Sequence, residues 1–305
     1  MGRAGHRAVQ EQHSDPPTHV LQRPRAARLR PHRGPGVTPT VAALYRYPVK
    51  GFTPEPRESL DVLASGRIAG DRVLAFLLGD ASEAPQVVEG DGWWPKTSML
   101  ALVNTPALAR LTLRYDEAAR RIEIREGTHV LVDTTLDDAG RARAAEAVGA
   151  WAAAQPEHPH LDRPGRLPLR LIGDGVTARY QDSASGRVTL HARGSLQALG
   201  AALDDSNLDE RRFRSNIALE GLAPWEEFGW AGRAVRIGEV TFDVLRPVTR
   251  CLATHASPTE GVRDRDVMTT LVREFRQDAP SFAVTMLPRT GGAIHLGDEV
   301  TVVAD

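Results

Sequence analysis

Apolar and polar positions alternate at period two over much of this chain, in short bursts. Leu111-Thr112-Leu113-Arg114-Tyr115 and Arg121-Ile122-Glu123-Ile124-Arg125 put every second side chain on one face. Residues 116–120 between them read as the turn of a hairpin, and 128–136 continue the sheet. An apolar strand at 41–45 is stopped by Pro48 and Gly51, while 58–63 and 72–78 flank Gly66 and Gly70 as two more strands. After residue 168 the texture returns: 169–172, 212–219, 233–245, 248–254, 281–287 and 293–303 are β-branched or alternating and are separated by Gly, Pro or Asp. Helical spacing covers three stretches only, the Ala-rich 138–154, 195–203 with Ser195 as its N-cap, and 266–275. The pattern predicts a mainly β (α+β) fold, a β-barrel with peripheral helices, rather than a doubly wound sheet.

Pro156, Pro159, Pro164 and Pro168 interrupt the pattern, which places a boundary between domains at 41–163 and 164–305. His158 and His160 in that stretch lack a third metal ligand and read as solvated. A length of 305 residues with 41% hydrophobic content suffices for one large domain or two ordinary ones. The longest apolar runs, such as 73–78, fall far short of the roughly 20 residues of a membrane span, so no membrane association is expected.

Charge changes the picture at the N terminus. Residues 1–40 hold seven Arg, four His and six Pro against Glu11 and Asp15, about +5, and the rest carries −6 of the net −1. This stretch shows no strand or helix period and no apolar core of a secretory signal. It reads as a disordered basic Pro/Arg/His-rich extension, with an interaction tail or an overlong start as the alternatives. The acidic balance of the body argues against a nucleic-acid partner. A single cysteine, Cys251, excludes an internal disulfide and an intrinsic iron–sulfur cluster held by four thiolates, and points to a reducing, cytoplasmic setting.

Candidate chemistry gathers at few positions. Of 38 basic residues only Lys50 and Lys96 are lysine, where a compact point charge is one reading and chance in an Arg-biased chain the other. Cys251 follows Arg246-Pro247-Val248-Thr249-Arg250. In a strand it would share a face with Thr249, Ala253 and His255, and Arg246, Arg250 and His255 would favour the thiolate over a buried, inert thiol. Arg211-Arg212-Phe213-Arg214-Ser215-Asn216-Ile217, if extended, sets Arg212, Arg214 and Asn216 on one face. That is either a charged edge strand or a fork of donors for an anionic ligand such as a phosphorylated pterin.

Taken together, Tyr47-Pro48-Val49-Lys50-Gly51, Gly70-Asp71-Arg72, Arg212-Phe213-Arg214-Ser215-Asn216-Ile217 and Arg246-Pro247-Val248-Thr249-Arg250-Cys251-Leu252-Ala253-Thr254, followed by Pro258-Thr259-Glu260-Gly261, resemble the MOSC family. The resemblance runs from Val41 onward. It implies an N-terminal β-barrel-like domain at 41–163 and a MOSC β-barrel at 164–305, binding the molybdenum cofactor, a Mo-pyranopterin. It assigns Cys251 as metal ligand and catalytic residue, and Lys50, Arg72, Arg214, Asn216, Thr249 and Arg250 as cofactor-binding. Lys96 is a second-tier candidate. Asp264 either orients a small-molecule substrate in catalysis or caps the helix after it, and the cap is favoured. The implied activity is an oxidoreductase that reduces N-hydroxylated or N-oxide-type compounds with electrons from a separate ferredoxin, flavoprotein or cytochrome. The alternative is a non-redox carrier of the cofactor or of persulfide sulfur. Gly51 stands where the amidoxime-reducing relatives would carry Ser, and Glu260 interrupts the expected Pro-Thr-Gly turn.

Overall fold

In this computed structural model the described residues are 38–82, 94–158, 160–182 and 186–304. The expected extension over 1–40 lies outside them except for its last three positions, and Thr40 already begins a strand.

Among the described residues the chain forms fifteen strands and three α-helices, predominantly β with peripheral helices as the alternation predicts. The first half holds β1 (Thr40–Arg46), β2 (Glu55–Arg57), β3 (Ser59–Val62), β4 (Ala75–Leu77), β5 (Leu111–Asp116), β6 (Arg121–Glu126), β7 (His129–Thr135) and α1 (Asp138–Ala153). There follow β8 (Arg170–Ile172), β9 (Val188–Ala192), α2 (Arg193–Ala202), β10 (Ile217–Glu220), β11 (Ala234–Ile237), β12 (Val240–Thr249), α3 (Val267–Arg273), β13 (Ser281–Pro288), β14 (Gly292–His295) and β15 (Val300–Val302).

Eight strands form one sheet in the order β15-β11-β12-β13-β9-β10-β1-β2. It does not close into the expected barrel. The β15 end does return to the start of β1, through a bridge between Thr40 and Glu299 and the bonds Val41 N–H to Asp298 O (2.9 Å) and Val300 N–H to Pro39 O (2.8 Å). A bulge between Val41 and Ala43 bends β1, and β2 pairs with Leu44, Tyr45 and Arg46 along the remainder of that edge. The seam is therefore too short to complete a barrel. The smaller sheets are β3–β14, β4–β8 and β5–β6–β7. Strands from before residue 80 thus pair with strands from after residue 169 in three of the four sheets.

Two large apolar clusters hold these sheets. In the first, the inward positions of β5 and β6, Leu113, Ile122 and Ile124 among them, meet Ala144, Ala145, Val148 and Ala152 along one stripe of α1. Asp137 caps that helix by accepting from Gly140 N–H at 2.7 Å. The second cluster lines the large sheet with Leu44, Leu190, Ile217, Phe242, Val284 and Met286.

Three local expectations are corrected. Ser195 is not an N-cap but lies inside α2, fully buried, where its hydroxyl donates to Glu227 Oε2 (2.9 Å) and accepts from Trp225 N–H (2.7 Å). The segment 212–216 is not extended: Asp209 accepts from Arg211 N–H and starts a 3-10 turn at Glu210–Phe213, after which Arg214 takes a left-handed φ of 51°. Nor does a strand carry Cys251 to Thr254. β12 ends at Thr249, and Cys251 caps a 3-10 turn at Leu252–His255.

Candidate functional site

The turns that replace the expected strands wall a cleft of about 360 Å³ that draws residues from 50–103 and from 181–285. Lys50, Arg72, Arg214, Thr249, Arg250 and Cys251 all line it, as does the second-tier Lys96. Arg187, Arg212 and Arg246 join them, so eight cationic side chains surround one carboxylate, Asp182, and one sulfur. Such a concentration of positive charge focuses the field on an anionic ligand.

Tyr47 organises the floor. Its ring is fully buried, with the Arg72 guanidinium carbon 4.8 Å and that of Arg214 4.3 Å from the ring centre. Asp71 accepts from Tyr47 N–H (2.8 Å) and also pairs with Arg72, while the Tyr47 hydroxyl donates to Ser215 O (3.1 Å). Arg72 and Arg214 both sit in the left-handed region, φ 55° and 51°, a conformation that costs a non-glycine residue about 1–2 kcal/mol. The two strained arginines converge on one cleft.

Lys50 is 4% exposed and donates to Tyr180 O (3.0 Å) and Asp182 Oδ1 (2.5 Å). Burial pushes its pKa down against the pull of Asp182, and the Lys50 ammonium in turn holds the Asp182 carboxyl well below the usual carboxylate range. Arg214 donates to Phe52 O, and Arg250 to Phe282 O (2.7 Å) and Phe213 O (2.9 Å). Neither meets a carboxylate among the described residues. Removal from water pushes both guanidinium groups down to about 10, with Arg72 adding to the effect at Arg214 and Cys251 opposing it at Arg250. Both stay charged at neutral pH.

Asn216 and Asp264 stand behind the cleft rather than on it. Asn216 accepts from Thr189 N–H and Oγ1 (both 3.3 Å) and donates to Tyr45 O (3.2 Å), tying the end of β1 to β9. The helix after Asp264 is capped not by Asp264 but by Asp266, which accepts from Thr269 N–H. Asp264 instead grips Arg212 with both oxygens at 2.7 Å, and Arg212 also donates to His255 O. Partial burial works against its ionisation, yet Arg212 keeps the Asp264 carboxyl below its ordinary range. His255 does not face Cys251 as a strand would require; its Nε2 accepts from Met268 N–H on α3 at 3.2 Å. Asp182, Arg187 and Thr189 escape sequence reasoning because residues 176–187 show no period and β9 is only five residues long.

A thiol and eight cations lining one cleft of a mostly β scaffold suit an anionic ligand. The family model for the MOSC domain matches residues 178–301. Lys50, Gly51, Arg72 and Lys96 reach the cleft from outside the matched stretch. The molybdenum cofactor sulfurase of Drosophila grimshawi is 39% identical over 118 residues, 36% of this chain and 14% of that protein. Molybdenum cofactor sulfurase 2 of Culex quinquefasciatus is 34% identical over 65 residues, 21% and 8% of the two chains. The matches thus span a small part of those relatives' length. Among solved structures, the YUAD protein from Bacillus subtilis aligns with a TM-score of 0.40 at 11% identity, over 87% of this chain and 94% of that one. YiiM from Geobacillus stearothermophilus aligns with a TM-score of 0.31 at 14% identity, over 44% and 67%.

Proposed function

We propose that the cleft binds the molybdenum cofactor through Cys251 and its cationic walls, and that the loaded protein reduces N-hydroxylated or N-oxide-type small molecules with electrons from a separate protein. The observation that carries this reading is the presence of the chain's one thiol among eight cations in a single cleft. The donor set suits such a group. Arg212 Nε and Arg250 Nη2 are buried without a hydrogen-bond acceptor, and an anionic ligand would supply acceptors. Among the described residues no group of three or more His, Cys, Asp and Glu is placed to hold a metal ion, so Cys251 would be one thiolate added to a metal that brings its remaining ligands.

In this arrangement Lys50, Arg72 and Arg214 hold the phosphate end, and Thr249 and Arg250 orient the pterin side. Asn216 and Asp264 act as positioning residues through Thr189 and Arg212. When bound there, the cofactor would supply two-electron redox chemistry suited to reducing an N–O bond. The net change adds two electrons and two protons to the N-hydroxyl compound and yields the amine or amidine and water. With no second cysteine the chain cannot carry its own four-thiolate cluster, which leaves the electrons to a ferredoxin, flavoprotein or cytochrome.

Molybdenum and pterin content of the purified protein, together with reduction of benzamidoxime by reduced viologen, tests this reading. Molybdenum-loaded protein inactive on every N-hydroxylated compound would overturn the reductase, and turnover with NADH alone would overturn the separate donor. A second reading, sulfur handling through a Cys251 persulfide, is supported by the sulfurase names of the two relatives and by the half-buried, reachable Cys251. It requires no tightly held molybdenum.

A further inference from the structure

Three of the cleft cations have their own carboxylates: Lys50 has Asp182, Arg72 has Asp71, and Arg212 has Asp264. Arg214 and Arg250 are half-buried and bonded only to backbone carbonyls, which leaves both free to meet a group held inside, Arg214 its phosphate end and Arg250 its pterin side. Arg246 belongs to neither group. It stands on β12 with an exposed side chain that has no hydrogen bond or ion pair among the described residues, although it lines the same cleft as Cys251. Exposed Lys96 lies on the cleft wall as well. Leu102, Val103, Val248 and Ala253 give the same cleft apolar surface.

A bound cofactor would satisfy the inner arginines and leave Arg246 unmatched. We propose that Arg246 is a substrate-specificity residue, whose guanidinium at the exposed side of the cleft receives a carboxylate or phosphate carried by the N-hydroxylated substrate. This rests on the cofactor reading above and extends it. The favoured substrate then has an apolar body against Val248 and Ala253 and an anionic group against Arg246. A guanidinium grips either anion through two parallel bonds, so the site selects by charge and by fork geometry.

Benzamidoxime and 4-carboxybenzamidoxime share the reacting group and differ by one carboxylate. Two readings are taken on holoprotein: kcat/KM with reduced viologen, and calorimetric dissociation constants without reductant, which need no turnover. The carboxylated compound is expected to bind and react roughly tenfold better than the neutral one. That ratio should fall toward one in Arg246→Gln, be partly kept in Arg246→Lys, and shrink as salt rises. An equal preference in the parent protein, or a ratio unmoved by Arg246→Gln, would overturn the proposal. So would a loss of pterin content in Arg246→Gln, because the charge would then serve the cofactor. If neither compound is reduced but the calorimetric ratio behaves as expected, the reductase reading fails while the anion site stands.

Discussion

The Arg214 guanidinium carbon lies 4.3 Å from the centre of the Tyr47 ring, a contact that joins the residue after the first strand to the turn preceding β10. Arg72 uses the same ring at 4.8 Å, so one buried side chain steadies two cations held in left-handed backbone.

Tyr47→Phe keeps the ring and loses only the hydroxyl bond to Ser215 O, for about 1 kcal/mol of stability with anion affinity largely retained. Tyr47→Leu removes both cation–π contacts, each on the order of 1 kcal/mol, and should weaken binding of the cofactor phosphate several-fold beyond the Phe variant. Urea denaturation and pterin content check this. Equal pterin retention in both variants would show that the ring does not hold the arginines.

Cys251→Ser should abolish reductase activity while leaving folding intact. The turn after Cys251 is held by its backbone oxygen, which accepts from Thr254 N–H and Oγ1 at 3.0 Å, and needs no thiol. A melting temperature within about 2 °C of the parent is expected, since a half-buried sulfur makes little core contact. Activity equal to the parent's would exclude Cys251 as the ligand.

Lys50→Ala removes a cation from a buried slot and strands Tyr180 O, so a loss of roughly 1.5–3 kcal/mol in phosphate binding is expected. Cofactor occupancy should fall while the remaining loaded fraction keeps its turnover. Lys50→Arg should not restore occupancy, because a planar fork does not fit a slot shaped around a point charge. Pterin and molybdenum per chain are the measurements, and full occupancy in Lys50→Ala would refute the clamp.

The elements legible in the sequence are those whose side chains see one environment on each face. β5 alternates buried and exposed at every position, and α1 buries residues at helical spacing, so periodicity alone locates both. The site was legible as residue types and not as shape. Arg212, Arg214 and Cys251 all reach the cleft, but from 3-10 turns set by Asp209 and by the end of β12, where no hydrophobic period exists to read. Asp264 illustrates the limit. Its partner Arg212 is 52 residues away, and only the folded chain reveals that Asp264 holds a cleft arginine while Asp266 caps the helix.

Glu227 makes stability depend on pH. It is fully buried, accepting from Ser195 Oγ (2.9 Å) and Ala192 N–H (3.3 Å), and burial pushes its pKa up to about 7. The folded state therefore holds a proton that the unfolded chain releases above its own pKa of about 4.5. The contribution is full below that value and is lost as pH rises through about 7, on the order of 3 kcal/mol in all. Glu227→Gln removes the titrating group; its Oε1 can still accept from Ala192 N–H, while its Nε2 must donate to Ser195 Oγ in place of accepting from it. The variant should flatten this part of the profile and stabilise the protein at pH 8 relative to the parent. Urea midpoints at pH 5 and pH 8 measure it, and an unchanged difference between them would assign the dependence elsewhere.

The backbone at Gly51 accounts for the lack of the Ser expected there from the sequence resemblance. Its φ is +82°, and a Cβ would lie 2.9 Å from Leu100 O and 3.0 Å from Ala101 Cα, both backbone atoms that cannot swing away. Any side chain must shift the chain at 100–101, which carries Ala101 and Leu102 onto the wall of the cleft. Gly51→Ser should therefore cost about 2–4 kcal/mol of stability from backbone strain and overpacking together. It should also lower cofactor occupancy instead of adding a useful hydroxyl contact. Denaturation midpoints and pterin content decide the matter: a Gly51→Ser protein as stable as the parent, with higher occupancy, would mean that this wall yields and that the missing hydroxyl is a real loss to the site.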